Sequence, residues 1–572
     1  MKRYLLPVIL VVLLCSVSCR KKAAVNDTSA PQFSNELTSQ EKAGGVMTPE
    51  ILWKFGRLGS FDLSPDGSSV VYTVTEINAE TEARRTNIFR IPSAGGDPVQ
   101  LTTGGGSSPQ WVSNGQSVAY VSSGKLMTMK ADGSEKQEVP GLENFESYSI
   151  SPAGDKILFT RRVKLDQTAN EKYNLPKAKV RIIDDLLYRH WNYWSDFSYS
   201  HIFVASFDGT KLSGEKDIME GQKYESPTAP YFDENEIAWS PDGKFIAYTT
   251  KRMRGMEDAR STNTDIFLYD LSSGKEVNIT ERNHGFDKYP VFSPDGSKIA
   301  YQSMEREGYE SDLDRLFVYD IKERKNTWVT RGWDFDAENI SWADNSTIYF
   351  TCAHLGTAQV FRTDLSGSGV TKVSEGMHDL GPIKLKSGVL ISGIQSMSMA
   401  SELAAIDPST GSIKQISFIN KAIYESVKMG KTEERYIKTK DNKDMQMWII
   451  YPPDFDPAKK YPALLFCKGG PQGPLGQSWS YRWNYQLMAA KGYIVIAPNR
   501  RGSSGFGQAW KEQISGDYGG KNIQDYLDAT NAMAKEPFVD EQRLAAVGAS
   551  YGGSSVFFLA GMHGGLFKAF IA

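Results

Sequence analysis

Between residues 55 and 420 the apolar positions fall in short alternating runs, each launched by a polar turn. "LSPDGSSVVYT" around Gly67 sets the phrase. It recurs as "WVSNGQSVAYV" around Gly115, "ISPAGDKILFT" around Gly154, "WSPDGKFIAYT" around Gly243 and "FSPDGSKIAYQ" around Gly296, with weaker copies near Asn345 and Gly388. The intervals are 48, 39, 89, 53, 49 and 43 residues. Pro-Asp-Gly or Asn-Gly makes a tight turn with Gly at positive φ. The alternating run that follows reads as a strand ending on an aromatic: Tyr72, Tyr120, Phe159, Tyr248, Tyr301 or Phe350. A second strand and turn follows each, as in "DIFLYDLSSGKEVNIT". Strand, turn, strand at a period of 40–50 predicts a seven-bladed β-propeller over roughly residues 55–420. A β-sandwich array is the alternative. The 89-residue interval holds an aromatic excursion, "VRIIDDLLYRHWNYWSDFSYSHIFVAS", with Asp184 and Asp185. It reads either as a loop packed on its own domain or as a substrate-facing element.

The pattern changes after residue 420. "YPALLFCKGGPQG" and "YIVIAPNRRGSSGFG" are continuous apolar strands ending in Gly-rich loops, and "IQDYLDATNAMAKE" is amphipathic at helical spacing. Strands alternating with helices predict an α/β domain with a mostly parallel sheet over 425–572. In it "RLAAVGASYGG" runs from a strand into a turn and a helix. Gly548-Ala549-Ser550-Tyr551-Gly552 has the G-x-S-x-G form of a nucleophile elbow, with Ser550 as the nucleophile. Acyl transfer also needs N–H donors aimed at the oxyanion. The Tyr551 amide is one candidate, and the loop after "LLFC", at Gly469 and Gly470, is the other.

Composition adds a compartment. Lys2 and Arg3 precede an apolar stretch, Tyr4 to Val17, too short to span a bilayer, so residues 1–19 read as a secretory signal. "SVSC" resembles a bacterial lipobox with Ser16 where Leu is usual, which makes Cys19 a candidate lipidation site; plain cleavage with Cys19 incidental is the alternative. Residues 20–50 are polar and read as a disordered tether. The expected location is periplasmic or at the outer membrane of a Gram-negative bacterium. A net charge of −3 gives no footprint for nucleic acid. Cys352 and Cys467 lie in apolar runs of different domains and predict no disulfide. No metal cluster or phosphate loop appears, so no cofactor is expected. Nothing in the sequence reports an oligomeric state.

A propeller followed by "GASYGG" resembles the prolyl oligopeptidase family of serine peptidases, as do "KGGPQG", "GYIVIAPNRRGSSGFGQ" and "ISGDYGG". The phrases "RIIDDLLYRHWNYW", "KDIMEGQKYE" and "MEREGYESDLDRLFVYD" resemble a secreted branch that releases dipeptides from free N-termini. The resemblance implies an oligopeptide substrate, attack by Ser550, an oxyanion held by the Tyr551 amide, and a site between the domains. Some members use a Tyr hydroxyl as the second donor. Lys468 stands about there, so a backbone N–H near Gly469 or Gly470 takes the role, as in the acylaminoacyl-peptidase branch. Asp184, Asp185 and Glu310 are the candidates for holding a substrate's α-ammonium; an ordinary surface or salt-bridged carboxylate is the alternative for each.

The triad is the unanswered part. In an α/β-hydrolase the acid and the histidine follow the serine in the chain. Of six histidines only His563 follows Ser550, at the far end of the expected elbow helix. The closing "LFKAFIA" reads as the start of another sheet strand. The expectation is therefore a hydrolase domain truncated after its elbow and a chain that is inactive. The alternative is a peptide-binding module built on the propeller.

Overall fold

The computed structural model describes residues 33–112, 115–186 and 188–572. The signal segment and Cys19 lie outside the described residues. Among those described, seven four-stranded antiparallel sheets follow one another from Arg57 to Gln415 as the predicted propeller blades.

The repeated phrase explains a blade. In blade 4 the Ser240 hydroxyl donates to Asp242 Oδ1 at 2.7 Å and accepts from the Phe245 amide at 2.9 Å. Gly243 takes φ +65° and closes the turn onto the Ser240 carbonyl at 2.9 Å. The strand Phe245–Thr250 then buries both its faces: Ile246 and Tyr248 pack toward blade 3, and Ala247 packs toward blade 5. Alternation along the strand thus becomes packing between successive blades rather than core against solvent.

The ring joins without strand exchange. Blades 1 and 7 each use four consecutive strands and meet through side chains. Leu63, Val70 and Tyr72 pack on Ile391, Leu403 and Ile416. Lys386 Nζ donates to Asp62 Oδ1 at 3.0 Å and to the Leu63 carbonyl at 2.6 Å. The excursion at 165–197 is the connection between two paired strands of blade 3, Lys156–Lys164 and Ser198–Phe207.

The expected disordered tether over 20–50 is corrected at its C-terminal end. Ser39–Gly44 and Pro49–Lys54 are helices, the first with a Thr38/Glu41 capping box. Met47, Ile51 and Phe55 are buried against Ile423, Val427 and Trp479, and Val46 pairs with Lys428. Sparse apolar residues in a polar stretch dock at the junction of the domains, a long-range contact that local composition does not record.

The second domain has one six-stranded sheet. Its order is Thr432–Lys438, Asp444–Ile450, Ile494–Pro498, Tyr461–Cys467, Val539–Gly548, Ala569–Ile571. The last four strands are parallel. Ala569–Ile571 is the strand read from "LFKAFIA". Cys467 sits in register with Gly548, so the loops leaving these two strands emerge side by side. Cys352 and Cys467 are buried free thiols.

The hydrolase domain docks on the face of the propeller where the inner strands begin. Lys511 Nζ is 3.1 Å from both Asp336 oxygens and from the Asp312 carbonyl oxygen, while Lys288 Nζ, 3.3 Å from Asp314, pairs within the propeller. Burial pushes the Asp287 carboxyl up to about 7. Asp287 Oδ2 has no hydrogen-bond partner among the described residues. Unfolded carboxylates titrate near 4. Between about pH 4 and pH 7 the folded protein therefore holds protons that the unfolded chain releases. The stability this group gives is present in acid and is lost as pH rises through 7. The thermal midpoint is expected to rise by a few °C between pH 8 and pH 5.5, and Asp287→Asn to flatten that slope. A pH series of melting curves for both proteins checks it, and equal slopes would refute it.

Candidate active site

The elbow is strained where the sequence predicts. Ser550 has φ 56° and ψ −127°, a conformation costing a non-glycine residue on the order of 1–3 kcal/mol. It caps the helix Tyr551–Met562 and is exposed. The strand behind it and the helix ahead hold this geometry. The Gly552 amide donates to the Ala549 carbonyl at 2.8 Å, and the Ser554 amide to the Ser550 carbonyl at 3.1 Å. A Cβ on Gly552 would lie 2.1 Å from the Cys467 carbonyl oxygen, and one on Gly548 2.5 Å from the Gly552 carbonyl oxygen. Both glycines are required by close approach.

The loop after Cys467 forms the facing wall. A Cβ on Gly469 would lie 3.5 Å from Ser550 Cβ, so this backbone runs directly past the nucleophile. Gly470 takes φ +106°. Among the described residues the amides of Gly469, Gly470 and Tyr551 donate no hydrogen bond. Ser550, Tyr551, Gly469 and Gly470 are thus brought together, with unspent N–H donors beside an exposed hydroxyl. That arrangement can stabilise an oxyanion on a carbonyl attacked by Ser550. Burial, and then Arg500, hold the Lys468 ammonium below its usual range.

None of the three acidic candidates hydrogen-bonds with this group among the described residues. Asp184 and Asp185 are exposed on the blade 3 excursion, where the Asp185 carboxylate lies against Gly255. Glu310 is exposed too, in a propeller loop that reaches the hydrolase domain. Beside it the Tyr309 hydroxyl hydrogen-bonds Ser515 Oγ at 2.8 Å, and Gln472 Nε2 of the oxyanion loop donates to that hydroxyl at 3.4 Å. Arg306 of the same loop pairs with Glu512.

No histidine completes the site among the described residues. His563 ends the elbow helix, where Nδ1 accepts from the Phe567 amide at 3.0 Å. His201 is buried between Asp217 at 2.8 Å and the Gln222 carbonyl at 2.7 Å. His354 stacks on Trp333, and His190 contacts Trp191. His284 and His378 are in the propeller. No histidine or carboxylate hydrogen-bonds Ser550 Oγ among the described residues.

Sequence reasoning missed the residues that brace the site. Asn522 Nδ2 donates to the Tyr551 hydroxyl, which donates to the Tyr518 carbonyl at 2.8 Å. Asn499 binds both the amide and the carbonyl of Leu475, each at 2.9 Å, anchoring the end of the oxyanion loop. Arg500 follows it, fully buried. The signal available was an asparagine and two arginines, Asn499 to Arg501, straight after the all-apolar strand Ile494–Pro498.

Two family models match the chain. One, described as the prolyl oligopeptidase family, matches residues 479–572, and one described as a TolB β-propeller domain matches 234–425. Dipeptidyl-peptidase 5 of Porphyromonas gingivalis is 41% identical over 538 residues, covering 92% of this chain and 78% of that protein. Dipeptidyl-peptidase 5 of Porphyromonas endodontalis is 38% identical over 544 residues, covering 94% and 79%. Among solved structures, the acylaminoacyl peptidase of Pyrococcus horikoshii superposes with TM-score 0.75 at 20% identity, covering 92% of this chain and 78% of that one. Dipeptidyl peptidase 4 of Porphyromonas gingivalis gives TM-score 0.54 at 18% identity, covering 90% and 74%. These two likenesses are of fold.

Proposed function

Because the chain belongs to the prolyl oligopeptidase family of serine peptidases, we propose that its reaction is the release of dipeptides or short N-terminal fragments from oligopeptides. The observation that carries this is the exposed Ser550 on its strained elbow, faced by the free amides of Gly469, Gly470 and Tyr551. Ser550 Oγ attacks the peptide carbonyl carbon, the C–N bond breaks, the amine leaves with a proton, and water hydrolyses the resulting ester. The dipeptidyl-peptidase 5 relatives favour a two-residue product. Of the acidic candidates for a substrate ammonium, Glu310 has the best support, since its loop touches Gln472. Export, with the signal segment removed and Cys19 lipidated, belongs to the same reading and rests on the sequence alone.

The base is the exception. With the histidines where they lie, we propose that these 572 residues by themselves do not turn over peptide. A decisive experiment fuses the chain to the part of the Porphyromonas gingivalis relative that lies outside the match. The fusion is assayed on dipeptidyl p-nitroanilides. Turnover that Ser550→Ala removes is the expected result. A folded fusion without turnover, or with turnover indifferent to Ser550→Ala, overturns the peptidase reading. The separation of the histidines from Ser550 also favours a second reading, a peptide-binding module. In that case the folded fusion binds peptide and leaves it intact.

A further inference from the structure

Arg500 is a full positive charge at 0% exposure, and no carboxylate pairs with it among the described residues. The acids nearby go to its neighbour: Arg501 Nη2 pairs with Asp441 and lies 3.5 Å from Asp525. An unpaired buried charge is costly and needs another compensation. Here neutral groups supply it. Nη1 donates to the Pro471 carbonyl at 2.8 Å and the Arg501 carbonyl at 2.7 Å, Nη2 to the Lys468 carbonyl at 3.3 Å, and Nε to the Tyr526 hydroxyl at 3.2 Å. The guanidinium carbon stands 5.2 Å from the Tyr551 ring centroid.

These contacts reach both walls of the oxyanion site. The Lys468 and Pro471 carbonyls bracket Gly469 and Gly470, and Tyr551 carries the third amide. In a trans peptide the C=O and N–H point opposite ways. Tying the Lys468 carbonyl back to Arg500 therefore turns the Gly469 N–H toward the elbow. That nitrogen lies 3.2 Å from where a Gly552 Cβ would be. The charge itself is not cancelled by an acid, so its field extends to the nucleophile, where a tetrahedral intermediate places a transient anion.

We propose that Arg500 is a positioning residue for acyl transfer, clamping the Gly469 peptide and making the surroundings of Ser550 electropositive. This rests on the peptidase reading, but its test does not use turnover. Ser550→Cys places a thiol at the nucleophile position of the 572-residue chain. The pH dependence of its alkylation by iodoacetamide, followed on the single peptide by mass spectrometry, reports its pKa. Adding Arg500→Gln is expected to raise that pKa by about one unit, which is about tenfold less thiolate at neutral pH. Arg500→Lys keeps the charge and is expected to restore most of the shift. Its amides at 468–472 should nonetheless exchange with deuterium faster than those of the parent. An Arg500→Lys thiol with the pKa of a free cysteine overturns the field. Unchanged amide exchange in Arg500→Lys overturns the clamp, so the proposal stays falsifiable even where Arg500→Gln fails to fold. Failure of the peptidase reading appears separately, as absent turnover in the fusion.

Discussion

The purified 572-residue chain is expected to hydrolyse dipeptidyl p-nitroanilides no faster than its Ser550→Ala variant. A serine hydroxyl needs a base within hydrogen-bond reach, about 3 Å. His563 is the histidine nearest Ser550 in sequence, and the helix between them runs from Tyr551 to Met562. Twelve residues of helix rise about 18 Å. The His563 ring is also occupied, accepting from Phe567 and packing on Phe570. The remaining histidines all lie in the propeller, and none of them hydrogen-bonds Ser550 among the described residues. Removing the base from a serine triad costs on the order of 10⁴- to 10⁶-fold in rate, so turnover should fall below detection. Release of p-nitroaniline by the chain that disappears in Ser550→Ala would mean that another group takes the proton.

The second large effect concerns Gly552. Gly552→Ala is expected to lower the stability of the hydrolase domain by about 3 kcal/mol through forced overpacking. Its Cβ would stand 2.1 Å from the Cys467 carbonyl oxygen, at the end of the strand paired with the elbow strand. Relief requires the elbow to move away from the Gly469 loop, which separates the nucleophile from its donors. Gly553→Ala is the control one residue on. Its Cβ would meet nothing closer than the Gly548 carbonyl oxygen at 3.6 Å, and alanine in a helix is favoured over glycine by up to about 1 kcal/mol. Denaturant unfolding of the two variants beside the parent makes the comparison. Equal stabilities would refute the close approach.

What could be read from the chain divides by the range of the interaction. The blade turns are written in adjacent residues, Ser240 to Gly243 being one case, so their number and spacing are legible. The elbow is equally local: Gly548 and Gly552 bracket Ser550, and the strand and helix flank them. Gly469 and Gly470 could be named because a loop after a parallel strand has few places to go. Arg500 could not. Three of its four hydrogen bonds go to backbone carbonyls, which every residue carries and no side-chain pattern marks, and the fourth goes to Tyr526, 26 residues along the chain. The helices at Ser39–Gly44 and Pro49–Lys54 were hidden for a related reason, because Met47 and Ile51 find their partners at Ile423, Val427 and Trp479, far along the chain. The acidic candidates mark the limit in the other direction. Asp184, Asp185 and Glu310 are conspicuous in sequence, yet Asp185 lies against Gly255 within the propeller, and it is the Glu310 loop of blade 5 whose neighbours Arg306 and Tyr309 touch the hydrolase domain.

The docked segment before the propeller also bears on how the molecule carries load. Met47, Ile51 and Phe55 are wedged among the propeller's exit segment and Trp479 of the hydrolase domain, and Asn420 clasps both the amide and the carbonyl of Gly56, at 2.8 and 2.9 Å. Tension applied at residue 33 would first lift the Phe33 ring from Arg85 of blade 1, whose guanidinium carbon stands 4.5 Å from the ring centroid, and would then reach this junction. After that single surface contact the load would fall on the domain junction, ahead of the side-chain seam of the ring.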